Sequence, residues 1–291
     1  MRIHKRLLSA FTLRLHAHAV LRSGLKGKIH HLESRIRFLE KMLLRPESDL
    51  GRTVQSRLKQ LWTYLKPHTV LNHTKKRFGS MGDGGYVLLD DFKPTDVVIS
   101  LRVGPDNSTD VSLAEVGCVV HAFDHTVEKL PGEHQNIFFH KKGLGSDSSD
   151  LLPLQEIMSI SDPDDNRDLV LLCDIEGAEW TGLTTEIALK CLSRFKQISL
   201  ELHGLQNLYA DQSWSVMDIL LSNLNRSHAV IHLHVNNAEP VFIIDGKSLP
   251  TLLEVTWVRR TDYEISTSVE KYPNDLDYPN VPFYPEQELN I

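Results

Sequence analysis

The 291 residues, 41% hydrophobic and 24% charged, supply enough apolar material for one large domain with an appendage and argue against a disordered or fibrous chain. The net charge of −6 divides unevenly. Residues 1–45 hold eleven Lys/Arg and two Asp/Glu, leaving 21 basic and 36 acidic residues in the remainder, an anionic body unsuited to gripping nucleic acid.

No run of 18 apolar residues marks a membrane span, and the N-terminus lacks the apolar centre and small-residue cleavage site of a signal peptide, although a basic amphipathic start is also how a mitochondrial presequence reads. Cys118, Cys173 and Cys191 form no CxxC pair, which fits a reduced compartment. The expectation is a cytoplasmic protein.

In chain order, residues 1–45 read as a basic helical extension. Apolar residues at Ile29, Leu32, Ile36, Leu39 and Leu43 alternate steps of three and four, the seam of a short coiled coil or of an amphipathic helix. Such a helix suits a homodimer, a docking contact with the body, or peripheral contact with an anionic membrane. Residues 46–76 read as a helical linker, with a helix near 54–65, and residues 77–291 as the α/β body with an extended, proline-bearing C-terminal tail.

Within the body, the glycine-rich stretch around Gly82, Gly84 and Gly85 calls for tight turns before a strand. Apolar runs at 97–103, 119–123, 137–139, 169–173 and 198–202 alternate with segments long enough for crossover helices, such as 112–117, 151–160 and 179–194. That alternation predicts a doubly wound, mostly parallel sheet. Residues 228–235 and 252–259 read as two long antiparallel edge strands joined by a polar stretch.

The run Leu169–Cys173 turns abruptly into Asp174, Glu176 and Glu179, the pattern of a doubly buried parallel strand at its carboxyl end, where open α/β sheets bind ligands. A single glycine, Gly104, follows the first buried strand and precedes a helix, and some 20 residues on the next strand ends at Asp124. Glycine turn and following acid together are how such sheets hold a nucleoside. Neither GxxxxGK[ST] nor GxGxxG occurs, which disfavours a P-loop phosphotransferase and a dinucleotide or nucleotide-sugar enzyme.

The series RFGSMGDGGYV, SLRVGPDNS, VHAFD, GLGS, CDIEGAEW, LELH, HLHVNN and LLEVTWVRR, spanning residues 77–260, resembles the FkbM-like branch of class I S-adenosylmethionine-dependent methyltransferases. The resemblance implies a Rossmann-like, seven-stranded, mostly parallel sheet and methyl transfer to an oxygen, often a hydroxyl of a saccharide, glycoconjugate or small natural product. It implies that Gly104 approaches the methionine moiety, Asp110 orients that loop, Asp124 binds the ribose and Gly145 and Ser146 border the adenine. Asp83 and Tyr86 would close the site, and Asp174 would face both cofactor and acceptor. One departure is Arg102, where relatives carry glycine, within reach of the cofactor or of Asp174.

An attacking hydroxyl must lose its proton, so the site needs a base or an acidifying metal. Strand alternation puts Glu201 and His203 on one face, beside Asp174 on the neighbouring strand, with His234 and Asn236 at a third strand end. Two readings stay open. Asp174, Glu201 and His203 could hold Mg²⁺ or Mn²⁺, or His203 could act as a metal-free base, with Asp174 and His234 as further catalytic candidates. Glu176 and Glu179 suit the N-terminal dipole of the following helix and need no catalytic role. The alternative from another class is a non-catalytic scaffold that binds a partner through residues 1–45.

Overall fold

A computed structural model describes residues 49–101 and 104–291. The heptad-like helix of residues 1–45 and the Arg102 departure lie outside the described residues. Residues 53–291 form one compact unit. Helix α1 spans Asp49–Tyr64, starting earlier than the pattern at 54–65 suggested, and buries Val54, Leu58, Leu61 and Trp62.

The body is built on seven strands: β1 (Val97–Leu101), β2 (Val119–Phe123), β3 (Ile137–His140), β4 (Leu169–Cys173), β5 (Phe195–His203), β6 (His228–Val235) and β7 (Leu252–Arg259). They lie in the order β3-β2-β1-β4-β5-β7-β6. Strands β1 to β5 pair in parallel, and β7 is antiparallel to both neighbours. This is the doubly wound, Rossmann-like, mostly parallel sheet that the alternation of strands and helices predicts. Sequence order suggested a pair of edge strands at the end. Instead β7 inserts between β5 and β6 and is buried from Leu252 to Val258, leaving β6 as the edge.

The helices that follow these strands are α2 (Ser108–Glu115), α3 (Leu154–Ser161), α4 (Glu179–Gly182), α5 (Glu186–Leu192) and α6 (Asp211–Ser227). Strands β1 and β4 are buried along their whole length, as two covered faces require. Val98, Val120, Val170 and Leu172 pack there with Leu113 of α2 and with Phe78 and Leu88. Those last two belong to a hairpin, Lys75–Phe78 against Tyr86–Leu89, whose connecting loop carries the glycines. Gly79 has φ +88°, and a Cβ there would lie 2.3 Å from Thr109 Oγ1, so only glycine lets this loop rest on the head of α2.

The polar stretch between β6 and β7 folds into a further hairpin, Val241–Ile244 against Lys247–Pro250, turning at Asp245 and Gly246, both with positive φ. Asp-Gly is the dipeptide that such a two-residue turn favours. Residues from Tyr272 onward form no helix or strand, yet Asn237, Glu254, His232 and His234 hold them by hydrogen bonds.

Helix α5 opens on Thr185, whose hydroxyl accepts from the Ala188 amide at 3.2 Å. Thr185→Ala removes that cap and should cost about 1 kcal/mol in urea unfolding, with an unchanged denaturant slope.

Candidate functional site

At the middle of the sheet the winding reverses between β1 and β4, whose ends Leu101 and Cys173 are register partners. Such a reversal leaves a crevice at the carboxyl ends of the strands. A cleft open to solvent lies there, walled by the hairpin (Asp83, Tyr86), the turn after β1 (Gly104 to Asn107), Asp110 of α2 and Asp174. Gly104 has φ +56°. The Asp174 amide donates to Leu101 O at 3.1 Å, tying the two strand ends, and the Tyr86 hydroxyl lies 3.5 Å from Asp174 Oδ2.

Four carboxylates, Asp83, Asp106, Asp110 and Asp174, face this cavity, and no lysine or arginine lines it among the described residues. Burial pushes the Asp110 carboxyl up to about 7 against a bond from Ser100, so at neutral pH it is poised between its two forms. Burial also raises Asp106, but the Ser108 hydroxyl and amide and the Ser80 hydroxyl outweigh it and leave the group below the ordinary range. An acceptor-rich, anionic lining suits a ligand that carries positive charge. It does not suit a diphosphate, which calls for cations and amide donors.

A second group of side chains stands beside Asp174. After β4 the chain passes through Glu176 and Gly177, with φ of +56° and +99°, and this left-handed pair swings it back into α4. The turn brings Glu176 over the end of β5, where Glu176 Oε2 lies 3.3 Å and Asp174 Oδ1 3.8 Å from His203 Nε2. Glu179, fully buried, accepts through Oε1 from the His203 amide and lies 3.0 Å from His203 Nδ1, while its Oε2 accepts from the Gly177 amide. Trp180 Nε1 donates to His203 O at 2.7 Å. Burial alone would lower the His203 imidazole, but the bond and charge of Glu179, then Glu201 and Glu176, carry it above its ordinary value.

The structure therefore groups Asp174 and His203, and it sets Glu176 and Glu179 beside them. On sequence alone those two glutamates suit the helix dipole and need no further role. The only signal for them was the Glu-Gly step, which permits the left-handed turn. One ligand atom each from Asp174, Glu176 and His203 falls within 4.8 Å of the others, a set able to hold a divalent cation. Glu201, the expected third ligand, points elsewhere: its Oε1 accepts from Asn236 Nδ2 at 2.7 Å. Burial and the neighbouring Glu254 push its carboxyl up to about 7.

His234 is likewise engaged away from Asp174. Its Nδ1 meets Glu254 at 3.0 Å and its Nε2 meets Glu286 at 3.3 Å. Burial opposes its charge, but these carboxylates carry it up to about 10, the signature of an ion-paired imidazolium. Glu254 bonds both His234 and Asn280.

Asp124 sits at the end of β2 and accepts from the Thr126 amide and hydroxyl, outside the cavity lining. Gly145 and Ser146 also lie outside that lining. The Gly145 backbone pairs with Leu152, and the Ser146 hydroxyl is 3.1 Å from Asp147.

No protein-family model matches the chain, and no curated protein does. Among solved structures it is similar to a fibrillarin/Nop5p complex chain, at 11% identity over 67% of this chain and 98% of that one, with TM-score 0.38. It is also similar to the N-methyltransferase NodS from Bradyrhizobium japonicum, at 8% identity over 74% and 98% with TM-score 0.31. A predicted O-methyltransferase from Agrobacterium tumefaciens gives 9% identity over 59% and 76%, with TM-score 0.30. At these identities and TM-scores the likenesses say nothing of chemistry.

Proposed function

We propose that the chain is an S-adenosylmethionine-dependent O-methyltransferase, in keeping with its FkbM-like motifs, acting on a hydroxyl of a saccharide, glycoconjugate or related small molecule. The observation that carries this reading is the placement of His203 Nε2 beside Asp174 at the rim of an anionic, cation-accepting cavity. Bound in that cavity, S-adenosylmethionine would supply a positively charged sulfonium methyl to an attacking oxygen and leave as a neutral thioether.

The chain's own residues account for the rest. Asp110, Asp106 and Asp83 offset the ligand's positive charge, the positive-φ backbone at Gly104 lets the chain pass close to it, and Asp124 is assigned the ribose hydroxyls. His203 Nε2 takes the proton of the acceptor hydroxyl as the oxygen attacks, and Asp174, with Tyr86 beside it, orients that hydroxyl. Gly145 and Ser146 are assigned to the adenine edge. His234, held by two carboxylates, is assigned to anchoring the C-terminal segment rather than to proton transfer.

The reading is tested by calorimetric titration of the folded full chain with S-adenosylmethionine and with S-adenosylhomocysteine; absence of binding by both overturns it. Because a cation favours the ionised carboxylate, binding should expel a proton from Asp110. Affinity for S-adenosylmethionine then rises as pH passes upward through about 7. In Asp110→Asn that rise flattens, and affinity above pH 7 falls about tenfold, ~1.4 kcal/mol.

A metal-assisted version replaces the base by Mg²⁺ or Mn²⁺ on Asp174, Glu176 and His203. Loss of turnover in chelator, restored by Mn²⁺, would select it. The scaffold reading keeps residues 1–45 as a dimerisation, partner-binding or peripheral-membrane segment without catalysis. Unchanged transfer after their deletion would reduce them to an assembly device. No described helix is long and apolar enough to cross a membrane.

A further inference from the structure

We infer that Glu179 is the positioning residue of this site: it fixes the tautomer and the orientation of His203, so that a buried carboxylate–imidazole pair, and not an imidazole alone, receives the proton. The inference deepens the reading of His203 as base and rests on it for its catalytic meaning, whereas the pairing itself stands on geometry.

A carboxylate with no solvent exposure is stable only when its oxygens are fully engaged. Glu179 meets that condition through three donors: the Gly177 amide at 2.9 Å, the His203 amide at 3.0 Å and His203 Nδ1 at 3.0 Å. The second atom near Nδ1 is the Glu201 carbonyl oxygen at 3.2 Å, also an acceptor only. Both ring nitrogens face acceptors, but those at Nδ1 are nearer and buried, at 3.0 and 3.2 Å, whereas Nε2 faces the exposed Glu176 at 3.3 Å and Asp174 at 3.8 Å. In the neutral ring the single proton therefore stays on Nδ1 and the lone pair is left on Nε2.

The ring cannot easily turn over. Glu179 Oε1 grips both the backbone and the ring of one residue, and Trp180, next in sequence, holds its carbonyl at 2.7 Å. These tethers come from the first two residues of α4, whose approach is set by the positive-φ turn at Glu176 and Gly177. A base that need not be reoriented during the reaction gains from such preorganisation. A merely structural carboxylate would need the two amides alone and would leave the ring free to choose its tautomer.

The experiment is ¹⁵N correlation spectroscopy of the histidine side chains in full-length wild type, Glu179→Gln and His203→Asn, the last assigning the His203 signals, in buffer alkaline enough to keep the ring neutral. Wild type should show a pyrrole-type Nδ1 and a pyridine-type Nε2. In Glu179→Gln, whose amide must present N–H to one of the present donors, the Nε2–H form should rise to at least about half of the neutral population. A wild-type ring protonated on Nε2 overturns the inference whatever the variants do. So does a Glu179→Gln spectrum with the Nδ1–H form intact in a protein that still melts cooperatively. Neither readout needs cofactor or acceptor, so failure of S-adenosylmethionine binding and failure of the pairing are told apart.

Discussion

His203→Ala is expected to lower methyl transfer about 10²- to 10⁴-fold while leaving the affinity for S-adenosylmethionine within about twofold. The asymmetry follows from where the ring stands. His203 is held at the end of β5 beside Asp174, and it is absent from the lining of the cavity between the hairpin loop, the turn after β1 and α2. Its loss therefore removes the proton acceptor without removing a cofactor contact, a fall in turnover rather than in binding.

The pH dependence has a sign. The free ring titrates above its ordinary value because Glu179, Glu201 and Glu176 outweigh its burial. The base form is thus gained only as pH rises past that raised value, and transfer in wild type should climb on the alkaline side of pH 6.5. A His203→Ala enzyme with near wild-type turnover, measured as methyl incorporation from labelled cofactor, would sink the assignment. If wild type also loses activity in chelator, the acidifying group is a metal held by the same side chains.

Much of this architecture was legible in the sequence, because β1, β2 and β4 are mainly apolar runs, β2 and β4 pass directly into an aspartate, and burial on both faces favours that pattern. Leu169–Cys173 and Asp174 are the clearest case. The place of β7 was not legible. Strand order is a non-local choice, and the segment Leu252–Arg259 reads the same at an edge as between β5 and β6.

In the site, alternation was enough to place Glu201 and His203 on one face, yet alternation says nothing of side-chain torsions. Glu201 turns to Asn236, and the place beside His203 Nε2 goes to Glu176. Glu179 escaped because its role depends on two left-handed residues that redirect the chain. An acid in the first turn of a helix has an adequate explanation without them. The hairpin at Asp245-Gly246 was written in a dipeptide with a known turn preference; it was hidden by the polarity of its surroundings.

At the opposite end of the sheet, Lys196→Met is expected to be the most destabilising single substitution outside the site. Lys196 and Asp96 are both almost wholly buried, and Lys196 Nζ bonds Asp96 Oδ2 at 2.6 Å as well as the Asp91 carbonyl. The Lys93 amide also donates to that Asp96 oxygen at 2.8 Å, whereas Asp96 Oδ1 has no hydrogen-bond partner among the described residues. Removing the ammonium leaves a carboxylate in the interior with one amide for support, a loss of about 3–5 kcal/mol. For a body of this size that corresponds to a melting temperature on the order of 10 °C lower.

The double variant Lys196→Met with Asp96→Asn removes both charges and should recover most of the loss, since the cost lies in the orphaned ion more than in the missing attraction. Calorimetric melting of wild type and the two variants decides it. A single variant within about 1 kcal/mol of wild type would mean that water or local rearrangement already solvates Asp96. Cofactor affinity should stay unchanged throughout, because the pair closes the amino ends of β1 and β5 while the cavity lies at the carboxyl ends of β1 and β4.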